Sequence, residues 1–379
     1  MKKIQFIQCG DVHIGMPFSS LKTVFGLPEK RRSLIEDTFY KIIQKACDQN
    51  AVLLICGDLF EEKYITKSVI DNMNYEFGKV SHVVIIPGNH DPYHAGSFYH
   101  RYSWASNVHI LSPHKPLVEF PELSTVIYHF NSLSENNQLH DLKLKKEYIN
   151  ILMFHGTIDT ICTDDRYWPV KSDDLEKYGF DYIAAGHFHN FFLGYGKNKT
   201  IHNAGSPVPL GFDEEGKHMI ITGEIKKEDI TQLCIQGEKS SESFYKTVEV
   251  IVDPQWSLNE IISAVQETVR SVEEHSYCLC RIVLKGRRDP DVYLDVQRIQ
   301  ESLTDITVYS QVTDCSLPDF DLSAISKEPG IRGVFVRNVL EEMNKDQDPK
   351  TRSLYQSVLY YGLEALSGNK PTLTDINRR

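Results

Sequence analysis

Five short apolar runs recur through the first half of the chain, and polar residues follow each of them. The runs are residues 4–8, Val52–Cys56, Val83–Ile86, 149–154 and 182–185. Runs of this length, rich in branched side chains, predict buried strands. Between the first two runs, residues 29–50 carry Ile35, Phe39 and Ile42 at helical spacing. Strands that alternate with helices predict a layered α/β domain.

A short polar motif follows each predicted strand. In chain order the motifs are D-V-H at 11–13, G-D at 57–58, G-N-H-D at 88–91, F-H-G at 154–156 and G-H-F-H at 186–189. One such motif is weak evidence, because pairs of this kind are frequent in a chain of this length. Open α/β sheets place their sites at the carboxyl ends of their strands. The repeated placement therefore predicts one shared site.

The residue types in these motifs suit two adjacent divalent cations. The candidate metal ligands are two carboxylates, one amide and four imidazoles: Asp11, Asp58, Asn89, His13, His155, His187 and His189. Two close dications repel each other, and a carboxylate can bridge them at roughly 3.5–4 Å. Asp58 is the candidate bridge. Asp11 and His13, with one G-H-F-H histidine, would complete the first metal site; Asn89 and His155, with the other, would complete the second.

Charge counting favours a phosphodiester as the substrate. Two dications carry four positive charges, and two carboxylates reduce the net charge of the site to about +2. The net charge falls to about +1 when the metals ionise a bridging water. The resulting hydroxide would attack phosphorus, and a phosphodiester with one negative charge matches the site. Asn89 matters because an amide oxygen ligates without adding a third negative charge.

His90 is the histidine that this ligand set leaves over, and we take His90 and Asp91 as candidate catalytic residues. His90 could protonate the leaving oxygen or stabilise the charge that builds on the phosphate, since an alkoxide leaves poorly without a proton. Asp91 could orient the His90 imidazole. An aspartate before proline is also a common turn former, so both interpretations stay open.

With these residues in place, the chain resembles the calcineurin-like metallophosphoesterases. The finer similarity is to their DNA-repair exonuclease branch, the SbcD-type nucleases, and most of all to the YhaO-like bacterial proteins. It covers residues 1–225 well, including I-H-N-A-G-S-P at 201–207, and the remainder loosely. The resemblance implies a four-layer α/β/β/α sandwich. It also implies two divalent metals, with Mn²⁺ expected, and a DNA exonuclease, with endonuclease action open, that works in repair with an SMC-like ATPase partner.

The resemblance also implies how the ligands divide between the metals. The first metal takes Asp11, His13, Asp58 and His189, and the second takes Asp58, Asn89, His155 and His187. The chain departs from the family pattern at Glu61, where nucleases of this type often carry aspartate. The arginine-bearing G-D-x-x-D-R-G motif of protein phosphatases is absent from the sequence, which counts against a phosphoprotein substrate.

Composition narrows the class of protein. A hydrophobic content of 41% is globular, and the sequence has no apolar run near the ~20 residues of a membrane span, which predicts a cytoplasmic location. The net charge of −11 is unusual for a DNA enzyme, because DNA affinity comes largely from phosphate contacts. We expect DNA to be held mainly by the metal cleft and by a partner subunit. A homodimer stays open.

The pattern changes after residue 225, which we predict as the end of the metallophosphoesterase domain. Residues 226–243 are polar and are predicted as a boundary region. Residues 244–318 show a strand-helix-strand-helix-strand pattern that resembles the small α+β capping domain of the repair nucleases. Residues 319–379 form a C-terminal helical region, for which core packing and partner docking are the alternatives.

Two other function classes remain. The first is a phosphodiesterase acting on small molecules or cyclic nucleotides, for which a capping domain and C-terminal helices would be more than the reaction needs. The second is a non-catalytic protein-binding scaffold in the same fold. Loss of metal ligands would mark a scaffold, and all seven candidate ligands are present in the sequence.

Overall fold

A computed structural model describes residues 2–130, 143–160, 168–345 and 348–367 of the protein. The chain divides into two compact units, Met1–Phe244 and Tyr245–Arg379. In the first unit the elements run β1 (Lys2–Cys9), α1 (Leu27–Asp48), β2 (Val52–Cys56), α2 (Lys67–Phe77), β3 (Val83–Ile86), α3 (Phe98–Arg101) and β4 (Val108–Ile110). They continue with β5 (Leu117–Phe120), β6 (Thr125–His129), β7 (Ile149–His155), α4 (Ser172–Glu176), β8 (Tyr182–Gly186), β9 (Phe192–Tyr195), β10 (Ile201–Asn203), β11 (Met219–Lys227) and β12 (Thr231–Lys239).

Two six-stranded sheets form the first unit. The first sheet has the order β12-β11-β1-β2-β3-β4, and the second has the order β5-β6-β7-β8-β10-β9. Strands β1 to β4 are parallel, as are β6, β7 and β8. The parallel strands of each sheet therefore end at one edge. The predicted mixed α/β class with several sheets is confirmed, and each of the five predicted strands is present.

One hydrophobic core joins the two sheets. Phe6 of β1 contacts Tyr182 of β8 with ring centroids 4.9 Å apart, and the core extends through Leu54 of β2 to Ile151 of β7. Gln8 adds a polar connection, because its amide donates to the carbonyls of β8 and β10 and its oxygen accepts from the Tyr182 hydroxyl at 2.6 Å. The packing fixes the position of one sheet edge relative to the other.

Helix α1 explains why β2 is apolar on both faces. Its side chains Ile35, Phe39 and Ile43 are buried, while β2 is buried along its whole length. A strand covered on both sides loses the alternation of polar and apolar residues and appears as a continuous apolar run. The continuous apolar sequence of Val52–Cys56 thus follows from the burial of both faces of β2.

Residues 226–243, predicted as a boundary region, lie mostly in strands of the first sheet. Strand β11 extends to Lys227, and β12 pairs with it in antiparallel register from Met219↔Lys239 to Lys227↔Thr231. The stretch has a polar sequence because β12 is an edge strand that is only partly buried. The first unit therefore extends beyond residue 225, to Phe244.

The second unit contains a small sheet and a helical hairpin. Its elements are β13 (Phe244–Val252), α5 (Leu258–Arg270), β14 (Cys278–Arg288), α6 (Val296–Glu301), β15 (Tyr309–Asp314), β16 (Leu317–Pro318), α7 (Leu322–Ile325), α8 (Ile331–Lys345) and α9 (Pro349–Leu366). The sheet has the order β13-β14-β15, and β16 pairs with β14. Val336 of α8 packs against Leu359 and Leu363 of α9. No helix in the described ranges is long and apolar enough to cross a bilayer.

A buried ion pair links the sheet of the second unit to α9. Arg288 donates to Glu364 at 2.7 Å, and both side chains are buried. Glu364→Ala removes the carboxylate and leaves a buried guanidinium short of one charged partner, so we expect the free energy of unfolding to fall by about 3–5 kcal/mol. Urea unfolding, with hydrogen exchange of the α9 amides, measures the loss.

Glu341→Ala is the matched control, because Glu341 pairs with Lys345 on the exposed surface of α8. Such a surface pair contributes about 0.5 kcal/mol or less. Equal effects of the two substitutions would show that the Arg288 pair adds nothing to the stability of the unit.

Candidate metal centre

The structure brings the predicted ligands together at the strand ends. Asp11 lies just beyond β1, Asp58 just beyond β2, His155 at the end of β7 and His187 just beyond β8. Among the described residues, ligand atoms within 4.8 Å of one another form three groups: Asp11, His13 and His189; His13, Asp58 and His90; and Asp58, His155 and His187. The first and third groups fall within the expected division and Asp58 is common to two groups, whereas the second group includes His90, which was not an expected ligand. The ligand roles themselves stay predictions.

Three of the imidazoles are held by a bond at Nδ1. His13 Nδ1 donates to Glu61 at 2.8 Å, His189 Nδ1 to Glu214 at 2.6 Å, and His155 Nδ1 to the Cys56 carbonyl at 2.8 Å. A histidine that donates through Nδ1 keeps its Nε2 lone pair for a metal, and such acceptors fix the tautomer and the ring orientation. The three rings are thus prepared as metal ligands.

The Nε2 atoms of these rings converge. His13 Nε2 and His189 Nε2 lie 3.3 Å apart. Two nitrogens bound to one cation at about 2.1 Å would lie roughly 3.0–3.4 Å apart, so the pair fits a shared metal. His155 Nε2 lies 3.1 Å from Asn89 Oδ1 and 3.4 Å from Asp58 Oδ2. Asp58 Oδ2 also lies 3.9 Å from His13 Nε2, which places its carboxylate between the two groups.

The backbone at the site is strained. Asp11, His13, Asp58 and His187 all have positive φ, at 51°, 55°, 49° and 91°. Such conformations are uncommon outside glycine and gather where a site over-determines the chain. Gly88 shows how tightly the loops pack, because a Cβ there would lie 2.1 Å from Asp58 Oδ1.

The electrostatics of the cluster favour positive charge. Burial opposes protonation of His155, but the Asp58 carboxylate outweighs it and raises the pKa of His155 to about 10. His189 behaves alike: burial lowers its pKa, while Glu214 and Asp11 raise it to about 9. His187 differs, because burial and the neighbouring His155 lower its pKa to about 4. A divalent cation can replace the protons that His155 and His189 hold. The donor set therefore fits divalent metal.

Asp91 was a candidate to orient the His90 imidazole, but the hydrogen bonds of its carboxylate go to other groups; its catalytic role stays a prediction. Asp91 is buried and accepts hydrogen bonds from the backbone N–H groups of Leu59 at 2.6 Å and Gly88 at 2.7 Å, and from the Tyr99 hydroxyl at 2.7 Å. Its carboxylate therefore fixes the loops after β2 and β3. The alternative of a turn-forming aspartate is the better one, because the bond to the Gly88 N–H closes a local turn.

Glu61 takes the place that Asp91 was expected to fill. One carboxylate oxygen accepts from His13 Nδ1, and the other lies 3.1 Å from His90 Nδ1. Burial opposes ionisation of Glu61, but the hydrogen bonds from His13 and His90 outweigh it and lower the pKa of Glu61 to about 2. The bond to Glu61 raises the pKa of His90, whose side chain is 44% exposed. The His90 ring is thus oriented by Glu61 and accessible at the rim of the cluster.

Sequence reasoning gave no role to Glu214. Glu214 is buried and also accepts from the Ser206 hydroxyl and the Leu210 N–H, both at 3.0 Å. A signal was present, because each ligating imidazole requires an acceptor for its second nitrogen. The acidic residues in G-F-D-E-E-G at 211–216 were the candidates, but spacing alone cannot select which one reaches His189.

Comparison with known proteins agrees with this site. Residues 4–191 match the family model of the calcineurin-like phosphoesterases, and this range contains strands β2 to β8 and all seven candidate ligands. YhaO of Bacillus subtilis strain 168, an uncharacterized metallophosphoesterase, is 24% identical over 301 residues, or 75% of this chain and 72% of YhaO. The match assigns residues 4–191 to the calcineurin-like phosphoesterases, which are metal-dependent phosphoester hydrolases by class.

Solved structures give weaker likenesses. The calcineurin-like phosphoesterase YfkN from Bacillus subtilis is 15% identical and aligns over 62% of this chain and 91% of that chain, with a TM-score of 0.36. Vacuolar protein sorting 29 from Cryptosporidium parvum is 13% identical and aligns over 63% of this chain and 100% of that chain, with a TM-score of 0.28. Neither score is high enough to add to the family assignment.

Glu214 provides a test of the metal centre. Glu214→Ala frees the His189 ring to rotate and removes a carboxylate that raises its basicity, so we expect metal affinity to fall roughly 10–100-fold. Titration of the metal-free full chain with Mn²⁺ by calorimetry measures the change. Glu147→Ala is the control, because the Glu147 side chain is 87% exposed. A dissociation constant that matches the control would exclude a supporting role for Glu214.

Proposed function

We propose that the protein is a two-metal phosphodiesterase that acts on DNA as an exonuclease, with endonuclease action open, in DNA repair. The observation that carries the phosphodiester is the placement of the acidic groups. Within the described residues, the carboxylates in the ligand clusters are those of Asp11 and Asp58. Glu61 and Glu214 bind the Nδ1 side of histidines instead. Two dications with two carboxylates retain net positive charge and suit a monoanionic diester.

The metals, when bound, would supply an activated water and polarise the phosphoryl oxygens. Asp58 Oδ2 lies 3.9 Å from His13 Nε2 and 3.4 Å from His155 Nε2, which supports Asp58 as the carboxylate that would hold both metals. Asn89 adds an oxygen donor without charge. Asp91 keeps Asn89 and Asp58 in place through its bonds to the loops that carry them.

His90 acts on the leaving group in this proposal. Glu61 lies within hydrogen-bond distance of His90 Nδ1, and the His90 ring is exposed at the rim of the cluster, where substrate would bind. A proton from His90 to the leaving oxygen would replace a poor alkoxide by an alcohol, or the imidazolium would stabilise charge on the phosphate. His90 also falls within ligand distance of His13 and Asp58, so its alternative is a metal ligand.

DNA as the substrate, manganese as the metal and an SMC-like ATPase as the partner complete the proposal, in the cytoplasm. Exposed apolar side chains on the C-terminal hairpin support a partner, with Ile331 73% and Leu354 62% exposed. A net charge of −11 disfavours extensive contacts with DNA phosphates, which supports a partner subunit that provides much of the DNA contact. A homodimer is the alternative assembly.

A small-molecule or cyclic-nucleotide phosphodiesterase is the second candidate. The same metal centre would serve either substrate. The second unit favours DNA as the substrate, because an enzyme for a small substrate does not need a separate sheet with two further helices. A protein-binding scaffold is the least favoured, since the complete ligand set is assembled.

A substrate panel tests the proposal. The purified chain with Mn²⁺ is assayed on end-labelled DNA, a cyclic dinucleotide and bis-p-nitrophenyl phosphate, with Asp58→Ala as the control. We expect release of nucleotides from DNA ends that disappears in the control, because the substitution removes the bridging carboxylate. Activity confined to the small substrates would overturn the choice of DNA. Lack of activity on all three would favour the scaffold.

His90 has its own test. His90→Ala should retain both metals while kcat falls by roughly 10²–10⁴-fold, because a proton-transfer group is lost and the ligands remain. Metal content by mass spectrometry and kcat on the same samples measure both effects. His94→Ala is the matched control, because His94 is also exposed and pairs with Glu62. Metal loss in His90→Ala would show instead that His90 is a ligand.

A further inference from the structure

A cavity of about 360 Å³ lies in the first unit, between the loop after β1 and the helices α1 and α2. We call it the side pocket; its lining includes Ile14, Arg32, Glu36, Tyr64, Ile65 and Val69. Sites for small molecules measure roughly 300–1,000 Å³ and combine apolar walls with a few polar groups. The side pocket has both properties, and no step proposed above uses it.

The side pocket shares its backbone with the metal centre. Ile14 directly follows His13, and its N–H and carbonyl bond to Leu59 and Glu61 at 3.0 and 2.9 Å. Tyr64 belongs to the turn that begins at Glu61, because its N–H donates to the Glu61 carbonyl at 2.9 Å. A group bound in the pocket would therefore sit beside the residues that hold His13 and His90.

Tyr64 gives the pocket an accessible aromatic ring. Its side chain is 54% exposed, in contrast to Tyr99, which is buried below the same loops. Ile14, Ile65 and Val69 provide apolar surface around it. Exposed rings of this kind are the platforms on which nucleobases stack, and every base offers a face to them.

Arg32 and Glu36 give the pocket one donor group and one acceptor group. They are four residues apart on α1, so their side chains lie on the same helix face. One Arg32 nitrogen donates to Glu29 at 2.8 Å, and a guanidinium has five N–H donors in all. Burial raises the pKa of Glu36, Asp37 raises it further and Arg32 lowers it. A donor beside an acceptor matches the polar edge of a base, and guanine offers O6 to the guanidinium and its amino group to the carboxylate.

We propose that the side pocket binds the base of a nucleotide next to the scissile phosphodiester, with Tyr64 stacked on the base and Arg32 and Glu36 at its edge. The position of the phosphate rests on the proposed function. Base binding itself needs neither metal nor catalysis, so it can be measured separately. The pocket would select nucleotide diesters over diesters that lack a base.

The first experiment measures binding to the metal-free full chain. Deoxyguanosine 5′-monophosphate and 2-deoxyribose 5-phosphate differ only in the base, and calorimetry with EDTA present compares them. We expect saturable binding of the nucleotide that is stronger than that of the sugar phosphate, and a loss of about tenfold in Tyr64→Ala, in line with the usual loss on removing a stacking ring. Tyr75→Ala is the matched control, because Tyr75 is 70% exposed on α2 and does not line the pocket. Equal binding of the two ligands, or equal binding by the two variants, would overturn the proposal.

The second experiment measures selectivity in turnover. Deoxyguanosine 5′-(p-nitrophenyl phosphate) and methyl p-nitrophenyl phosphate share a leaving group and differ in the nucleoside. We expect the ratio of their kcat/KM values to favour the nucleoside ester and to fall in Tyr64→Ala and Glu36→Gln, mainly through KM. A ratio unchanged in both variants would overturn the pocket as a base site. Hydrolysis of neither ester, together with nucleotide binding in the first experiment, would refute the proposed function and leave the pocket standing.

Discussion

Two carboxylates buried at neighbouring strand ends impose the constraint on which the structure of the first unit depends. Asp11 and Asp58 are buried and raise each other's cost of ionisation, because like charges repel strongly away from water. Positive charge beside the two carboxylates offsets this cost. The surrounding imidazoles supply positive charge, either as imidazolium or as ligands of a bound cation. The strained backbone and the glycines that admit close approach follow from holding so many polar groups in one place.

The site depends on the core because its ligands come from both sheets. Asp11 and Asp58 follow strands of the first sheet, whereas His155 and His187 belong to strands of the second. The contact between Phe6 and Tyr182, with the bonds of Gln8, sets the two sheet edges against each other a few residues below the ligands. A core substitution that shifts one sheet would therefore change the distances between candidate ligands on the two sheets. Interiors are close-packed and transmit such shifts.

The carboxylates outside the metal cluster orient its histidine rings and hold its loops. Glu61 contacts both the candidate ligand His13 and His90, so the orientation of the two rings depends on one side chain. Glu214 performs the corresponding task for His189, and Asp91 holds the loops instead of a ring. The side pocket begins at the same turn as Glu61, which would link recognition of a base to the orientation of the proton donor. Chemistry and selectivity would then rest on one short stretch of chain, from Asp58 to Ile65.

The sequence by itself determined the class of fold and the ligand inventory. Buried strands appear as apolar runs because both of their faces are covered, and the motifs after them had to meet because parallel strands end at one edge. Tertiary structure alone decided which acids serve the histidines, since Glu61 and Glu214 reach His13 and His189 from 48 and 25 residues away. It also assigned residues 226–243 to the first sheet, because a polar edge strand has the same composition as a linker. The local pattern of apolar and polar residues reflects which positions are buried. Contacts between residues far apart in the sequence are determined only by the folded chain.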